Sequence, residues 1–193
     1  MEKLTRADLF SLEQYAQVRK DFRAKVLEHK KNRRLPLGEH AALYFEDRLT
    51  MQYQIQEMLR IERIFEPEEI QAELDVYNPL IPDGHNWKAS FMLEYPDLEE
   101  RRRALARLVG IEHKVWLQVA GFERLWPIAN EDLDRSHPDK TASVHFLRFE
   151  LTPEMIAAVK GGAGLRAGID HPNYTVEVEV PDNVRASLAA DLA

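Results

Sequence analysis

No cysteine occurs among the 193 residues, and that absence removes disulfides, thiolate nucleophiles, zinc ribbons and protein-held iron–sulfur clusters. Redox chemistry by this chain alone would need a bound cofactor, and the sequence names none. No apolar run approaches the roughly 18 residues that a membrane-spanning helix requires. The start Met1-Glu-Lys-Leu-Thr-Arg6 has no apolar h-region, so the expectation is a soluble cytoplasmic protein. Also missing are H-E-x-x-H, any two histidines at i, i+4, and the G-K-[ST] ending of a phosphate loop. Neither Ser143 nor Ser187 stands in a nucleophile motif, and no internal repeat is evident.

What is present is a globular composition, 45% apolar and 31% charged. The charged share exceeds the ~25% of an average domain and calls for densely charged exposed faces. The length suits one domain over 1–193, with a helical arm (1–36) on an α+β core (37–193). Charge is unevenly spread. Arg19 to Arg34 holds eight Lys/Arg against Asp21 and Glu28, a net +6, which leaves −13 for the rest of a chain whose formal charge is −7. An overall pI near 5.5 argues against a dedicated nucleic-acid binder. Lys30, Lys31, Arg33 and Arg34 are therefore read as a surface for a protein partner or for self-association.

Apolar periodicity predicts a long helix over about 6–30, opened by Thr5 and Asp8 in a capping-box arrangement. A short strand (41–46) feeds a helix to Ile64, and Glu66-Pro67 opens another to about Tyr77. Trp87 to Tyr95 alternates as a strand, and a helix from Asp97 closes at Gly110. Residues 113–120 and 122–128 read as a hairpin. Thr141 to Leu151 is apolar on both faces and reads as a central strand covered on both sides. A short helix ends at Gly161-Gly162. Tyr174 to Val180 alternates strictly, marking one wet face, and Asp182 or Asn183 is expected to cap the last helix. The fold class that follows is α+β, a mainly antiparallel sheet of about six strands with flanking helices.

The densest gathering of polar groups beside apolar ones is the junction between the 41–46 strand and its helix. Glu46, Asp47, Arg48, Gln54, Glu57 and Arg60 fall within fifteen residues, where carboxylates and helix-start N–H groups can converge on a ligand. Capping by Asp47 or Thr50, a Glu57–Arg60 pair and a Gln56–Arg60 pair account for part of this set without a ligand. His113 and His145 each open a strand face and, with Glu112 or Glu150, make an N/O metal site conceivable. Asp170-His171-Pro172 offers an acid that could orient an imidazole, or simply turn chemistry before a strand.

Phe45-Glu-Asp-Arg48, Gln54-Ile-Gln-Glu-Met-Leu-Arg60 and Gly168-Ile-Asp-His-Pro172 resemble a bacterial family catalogued as a domain of unknown function (number 3501), over nearly the whole length. The resemblance implies a redox or peroxide-stress setting, with rubrerythrin-type and heterodisulfide-reductase-like iron–sulfur proteins as partners. It carries no active-site residues. Two functions therefore stand side by side: an accessory protein of such a redox system, and a metal-dependent or small-ligand-binding enzyme with its site at residues 45–60.

Overall fold

The computed structural model describes residues 1–193 and contains six α-helices and nine strands: α1 (Leu12–Lys30), β1 (Arg34–Pro36), β2 (Ala41–Phe45), α2 (Arg48–Glu62), α3 (Pro67–Tyr77), β3 (Asn86–Leu93), α4 (Leu98–Arg107), β4 (Val115–Val119), β5 (Arg124–Leu125), β6 (Ile128–Ala129), β7 (Val144–Glu150), α5 (Pro153–Lys160), β8 (Leu165–His171), β9 (Tyr174–Glu179) and α6 (Asp182–Ala190). The strands form two antiparallel sheets, one in the order β1-β2-β3-β7-β6 and a smaller one in the order β5-β4-β8-β9. The fold is α+β, with more and shorter strands than the sequence suggests. No helix is long and apolar enough to cross a membrane.

The main core lies between the sheets. Period-two alternation turns Leu43 and Phe45 of β2, Trp87, Ala89 and Phe91 of β3, and Leu147 and Phe149 of β7 to one side. There they meet Val115, Leu117 and Val119 of β4, Ala167 and Ile169 of β8, and apolar residues of α4, α5 and α6. A second, smaller core joins Met51, Ile55 and Leu59 of α2 to Leu74 of α3, with Leu4 and Ile81. Each such side chain contributes about 1.5–3 kcal/mol relative to exposure, which fixes a helical layer over the outer face of the larger sheet. Tyr15 and Phe22 of α1 pack edge-on at 6.2 Å between centroids, and Phe22 lies 6.2 Å from Tyr53 of α2, so α1 joins that layer.

Four local expectations change. The first helix begins at Leu12, because Ser11 and Gln14 close a capping box (Gln14 N–H to Ser11 Oγ 3.2 Å, Ser11 N–H to Gln14 Oε1 3.0 Å). Thr5 and Asp8 instead bracket a separate 3-10 turn. The 113–128 hairpin is split. Leu125 pairs with Leu117 in one sheet while Ile128 pairs with Arg148 in the other, the chain crossing at Trp126-Pro127, where proline supplies no ladder donor. The last helix has Pro181 at its N-cap and no side-chain cap. Finally, β7 is buried on one face only: His145, Leu147 and Phe149 are buried, whereas Val144, Phe146, Arg148 and Glu150 are partly exposed. That second face borders a cavity.

The motif Gly168-Ile-Asp-His-Pro172 also finds its reason here. A Cβ on Gly168 would stand 2.5 Å from Trp116 Cζ2 and 2.4 Å from the Val176 carbonyl, so only glycine lets the indole cross β8.

Candidate functional site

Phe45 points into the main core, so the alternation of β2 sends Tyr44 and the following Glu46 to the opposite face of the sheet. The backbone of Glu46 is held at both ends: its N–H donates to the Lys88 carbonyl (2.8 Å) and its carbonyl accepts from the Arg33 guanidinium (3.0 Å). Asp47 then starts α2, accepting from Thr50 N–H (2.9 Å) while Thr50 Oγ1 accepts from Asp47 N–H (2.9 Å). The Asp47 carboxylate also meets His29 at 2.5 Å and Arg33 at 3.5 Å, so its capacity is spent on structure.

The Glu46 carboxyl accepts from Thr50 Oγ1 at 2.6 Å and from Ser90 Oγ at 2.8 Å. Burial pushes its pKa up from the usual carboxylate range; the two hydroxyl hydrogen bonds and the charge of Lys30 pull the other way without cancelling it. Glu46 makes no ion pair, which sets it apart from Asp47, Glu57 and Asp191.

Glu46 borders a cavity of about 750 Å³ between the outer sheet face and the helical layer. The floor is a register row, Arg34 opposite Tyr44, Tyr44 opposite Ser90, Ser90 opposite Phe146, with Met92 and Val144 in the next row. Leu27, Lys30 and Lys31 from the end of α1 form one wall; Thr50, Met51 and Gln54 of α2 and Tyr77 and Leu80 form the others. Of the four cations that line it, Arg33 is paired with Asp191 (2.7 Å), Lys31 with Glu28 (2.5 Å) and Arg34 with Tyr44 (3.0 Å) and Glu94 (3.3 Å). Lys30 has no carboxylate partner; its ammonium lies 5.4 Å from the centroid of the Tyr53 ring. A mostly apolar cavity with a few convergent polar groups is the usual form of a small-molecule site.

The structure gathers part of the sequence-derived set and disperses the rest. Glu46 and Gln54 share the cavity with Lys30, Lys31 and Arg34. Arg33, read from the charge run as surface, is 2% exposed. It grips Asp191 through two hydrogen bonds (3.1 and 2.7 Å) and donates to the Phe45 and Glu46 carbonyls. Arg48 pairs with Asp8 at 2.8 Å. Glu57 accepts from Tyr15 (2.6 Å) and Arg19 (2.8 Å), and the Arg19 hydrogen bond chiefly holds its pKa down. Arg60 is exposed and does not pair with Gln56, which is fully buried and holds both backbone groups of Phe10 (2.7 and 3.2 Å).

Asp170 is exposed on β8 beside Arg124 at 3.6 Å. His171 donates from Nε2 to the Val109 carbonyl (3.0 Å) and accepts at Nδ1 from Asn173 N–H (3.1 Å), which is turn chemistry. His113 falls in the 3-10 turn Ile111–His113 and is exposed. His145 is buried on the core face, with Nε2 at 2.7 Å from Thr141 Oγ1 and Nδ1 at 2.9 Å from Asn130. Both approach Glu112, at 3.8 and 4.0 Å. No group of three or more His, Asp or Glu side chains is arranged to hold a metal.

Sequence reasoning missed Tyr44, Ser90, Met92, Phe146, Tyr77 and Leu80. The available signal was the second face of each strand, Ser90 and Met92 between core residues of β3 and Val144 and Phe146 in β7, but only the register unites them.

Compared with known proteins, residues 3–192 match the model of a family described as "Protein of unknown function (DUF3501)". The chain belongs to the DUF3501 family. No curated protein matches it. Among solved structures, it is similar to a novel protein of unknown function from Burkholderia pseudomallei K96243, at 51% identity and a TM-score of 0.95, with 100% of each chain covered. That DUF3501-like fold therefore recurs in a crystal structure over its full length.

Proposed function

We propose that this chain binds a small molecule in the cavity between the outer sheet face and the helical layer, with Glu46 as the group that exchanges a proton with it. The observation that carries this reading is the Glu46 carboxyl itself: raised in pKa by burial, held by two hydroxyls, unpaired with any cation and facing a 750 Å³ cavity. A carboxyl tuned upward in an apolar enclosure suits general acid–base work. Thr50 and Ser90 fix its orientation, and Arg33, through the Glu46 carbonyl, fixes the backbone from which it projects. The family resemblance also implies an accessory role beside iron–sulfur and rubrerythrin-type proteins; the ligand reading is preferred because a specific arrangement, the Glu46 carboxyl held by two hydroxyls at the cavity, supports it.

Calorimetry with hexanoate, hexanol and hexylamine tests the cavity. At least one should bind the chain and fail to bind a Ser90→Trp variant whose indole fills the floor. Three probes that give no heat, or a variant that binds as well as the parent, would refute the reading.

A further inference from the structure

The first cavity adjoins a second. A cavity of about 570 Å³ lies beside it, and the two have Tyr77, Leu80 and Phe146 in common, so these three side chains stand at their boundary. The second chamber differs in its charges. Its cations are all engaged: Lys88 with Asp83 at 3.0 Å, Arg148 with Glu131 at 2.7 Å, and Arg135 with Asp132 at 2.5 Å. Arg135 also lies 4.6 Å from the Phe146 ring centroid. Val76 and Leu133, both lining this chamber, are left 62% and 57% exposed, an apolar pair with no protein cover. Only the first chamber offers an unpaired cation, Lys30.

Building on the small-molecule reading above, we infer that the ligand is an elongated monocarboxylate, its head group seated at Lys30 and its hydrocarbon tail running past Tyr77, Leu80 and Phe146 into the second chamber. Charge complementarity sets the direction. An anion at Lys30 gains a charge-assisted hydrogen bond, whereas in the second chamber every guanidinium and ammonium already holds a carboxylate. Burial of the tail against Val76 and Leu133 adds the hydrophobic contribution of each methylene. Burial raises the pKa of the Glu46 carboxyl, which eases its uptake of a proton beside an anionic head.

The test is a titration of the full chain with hexanoate, octanoate and decanoate and with the matching alcohols. Affinity for the acids should rise about fourfold per buried methylene, or on the order of 10²-fold from six to ten carbons. Lys30→Met should weaken each acid about tenfold and leave decanol unchanged. Leu80→Trp, which adds bulk at the boundary the tail must cross, should bring decanoate back to the hexanoate level. Hexanoate binding that needs Lys30 but does not strengthen with chain length would overturn the two-chamber tail while leaving the cavity reading intact. Acids that bind no more tightly than the matching alcohols, or that bind Lys30→Met as well as the parent, would overturn the head-group assignment. If no acid or alcohol binds at any length, the cavity reading itself fails.

Discussion

Replacing Arg33 by methionine tests the frame that holds the site. The guanidinium is 2% exposed and its partners are Asp191 (2.7 and 3.1 Å), the carbonyls of Phe45 (3.1 Å) and Glu46 (3.0 Å), Ser187, and Asp47 at 3.5 Å. Methionine keeps most of the volume and removes every donor. Asp191, 6% exposed, then stays buried without its cation, and removing one member of a buried pair costs about 3–5 kcal/mol. For a chain of this length, at about 2–4 °C per kcal/mol, Tm should fall by roughly 6–20 °C. The neighbouring Arg34→Met, at an exposed side chain paired with Glu94, should cost about 1 kcal/mol or less. The loss in Arg33→Met should shrink in acid, because burial raises the Asp191 pKa and loss of the guanidinium raises it further, so protonation relieves the unpaired charge. Urea and thermal melts of both variants at pH 5 and 7 supply the comparison, and Arg33→Met with Asp191→Leu should recover part of the loss. An Arg33→Met midpoint no lower than that of Arg34→Met at pH 7 would refute the argument.

Three further outcomes are expected. The raised pKa of Glu46 means that its contribution is fully present below the unfolded value near 4.5 and is lost as pH rises through the folded value. Glu46→Gln should therefore gain stability relative to the parent between pH 4 and pH 8, and urea midpoints that stay parallel across that range would contradict this. Gly168→Ala should cost about 1–3 kcal/mol or more from overpacking against Trp116 and the Val176 carbonyl; a urea midpoint within error of the parent would rule that out. Gln56→Ala leaves the N–H and carbonyl of Phe10 without their partner and should cost about 1–3 kcal/mol, with faster amide exchange at Phe10; unchanged exchange there would mean another group has taken over.

Much of the fold is legible in local pattern. The valines of β9 alternate with exposed acids, Trp87, Ala89 and Phe91 mark one face of β3, and Gly110 and Gly162 at φ of 84° and 94° follow α4 and α5. The site was legible in part. Glu46 stood out by its place at a strand end, but its partner Ser90 lies 44 residues away and Phe146 a further strand across. Nothing local distinguishes a strand face that meets a cavity from one that meets a helix, and this is why β7 reads as covered on both sides. Arg33 shows the converse: within a run of cations it looks solvated, and its burial depends on Asp191, 158 residues distant. Charge patterning reports composition, whereas burial depends on tertiary partners.

The larger sheet separates two kinds of demand by residue parity. On β3 and β7, the positions Ala89, Phe91, Leu147 and Phe149 answer to core volume, and the alternate positions Ser90, Met92, Val144 and Phe146 face the cavity. The outward set can be exchanged without altering the packing between the sheets. Under the ligand reading, specificity could then be retuned by small substitutions at every second residue of two strands, on a scaffold whose stability is governed by the residues in between.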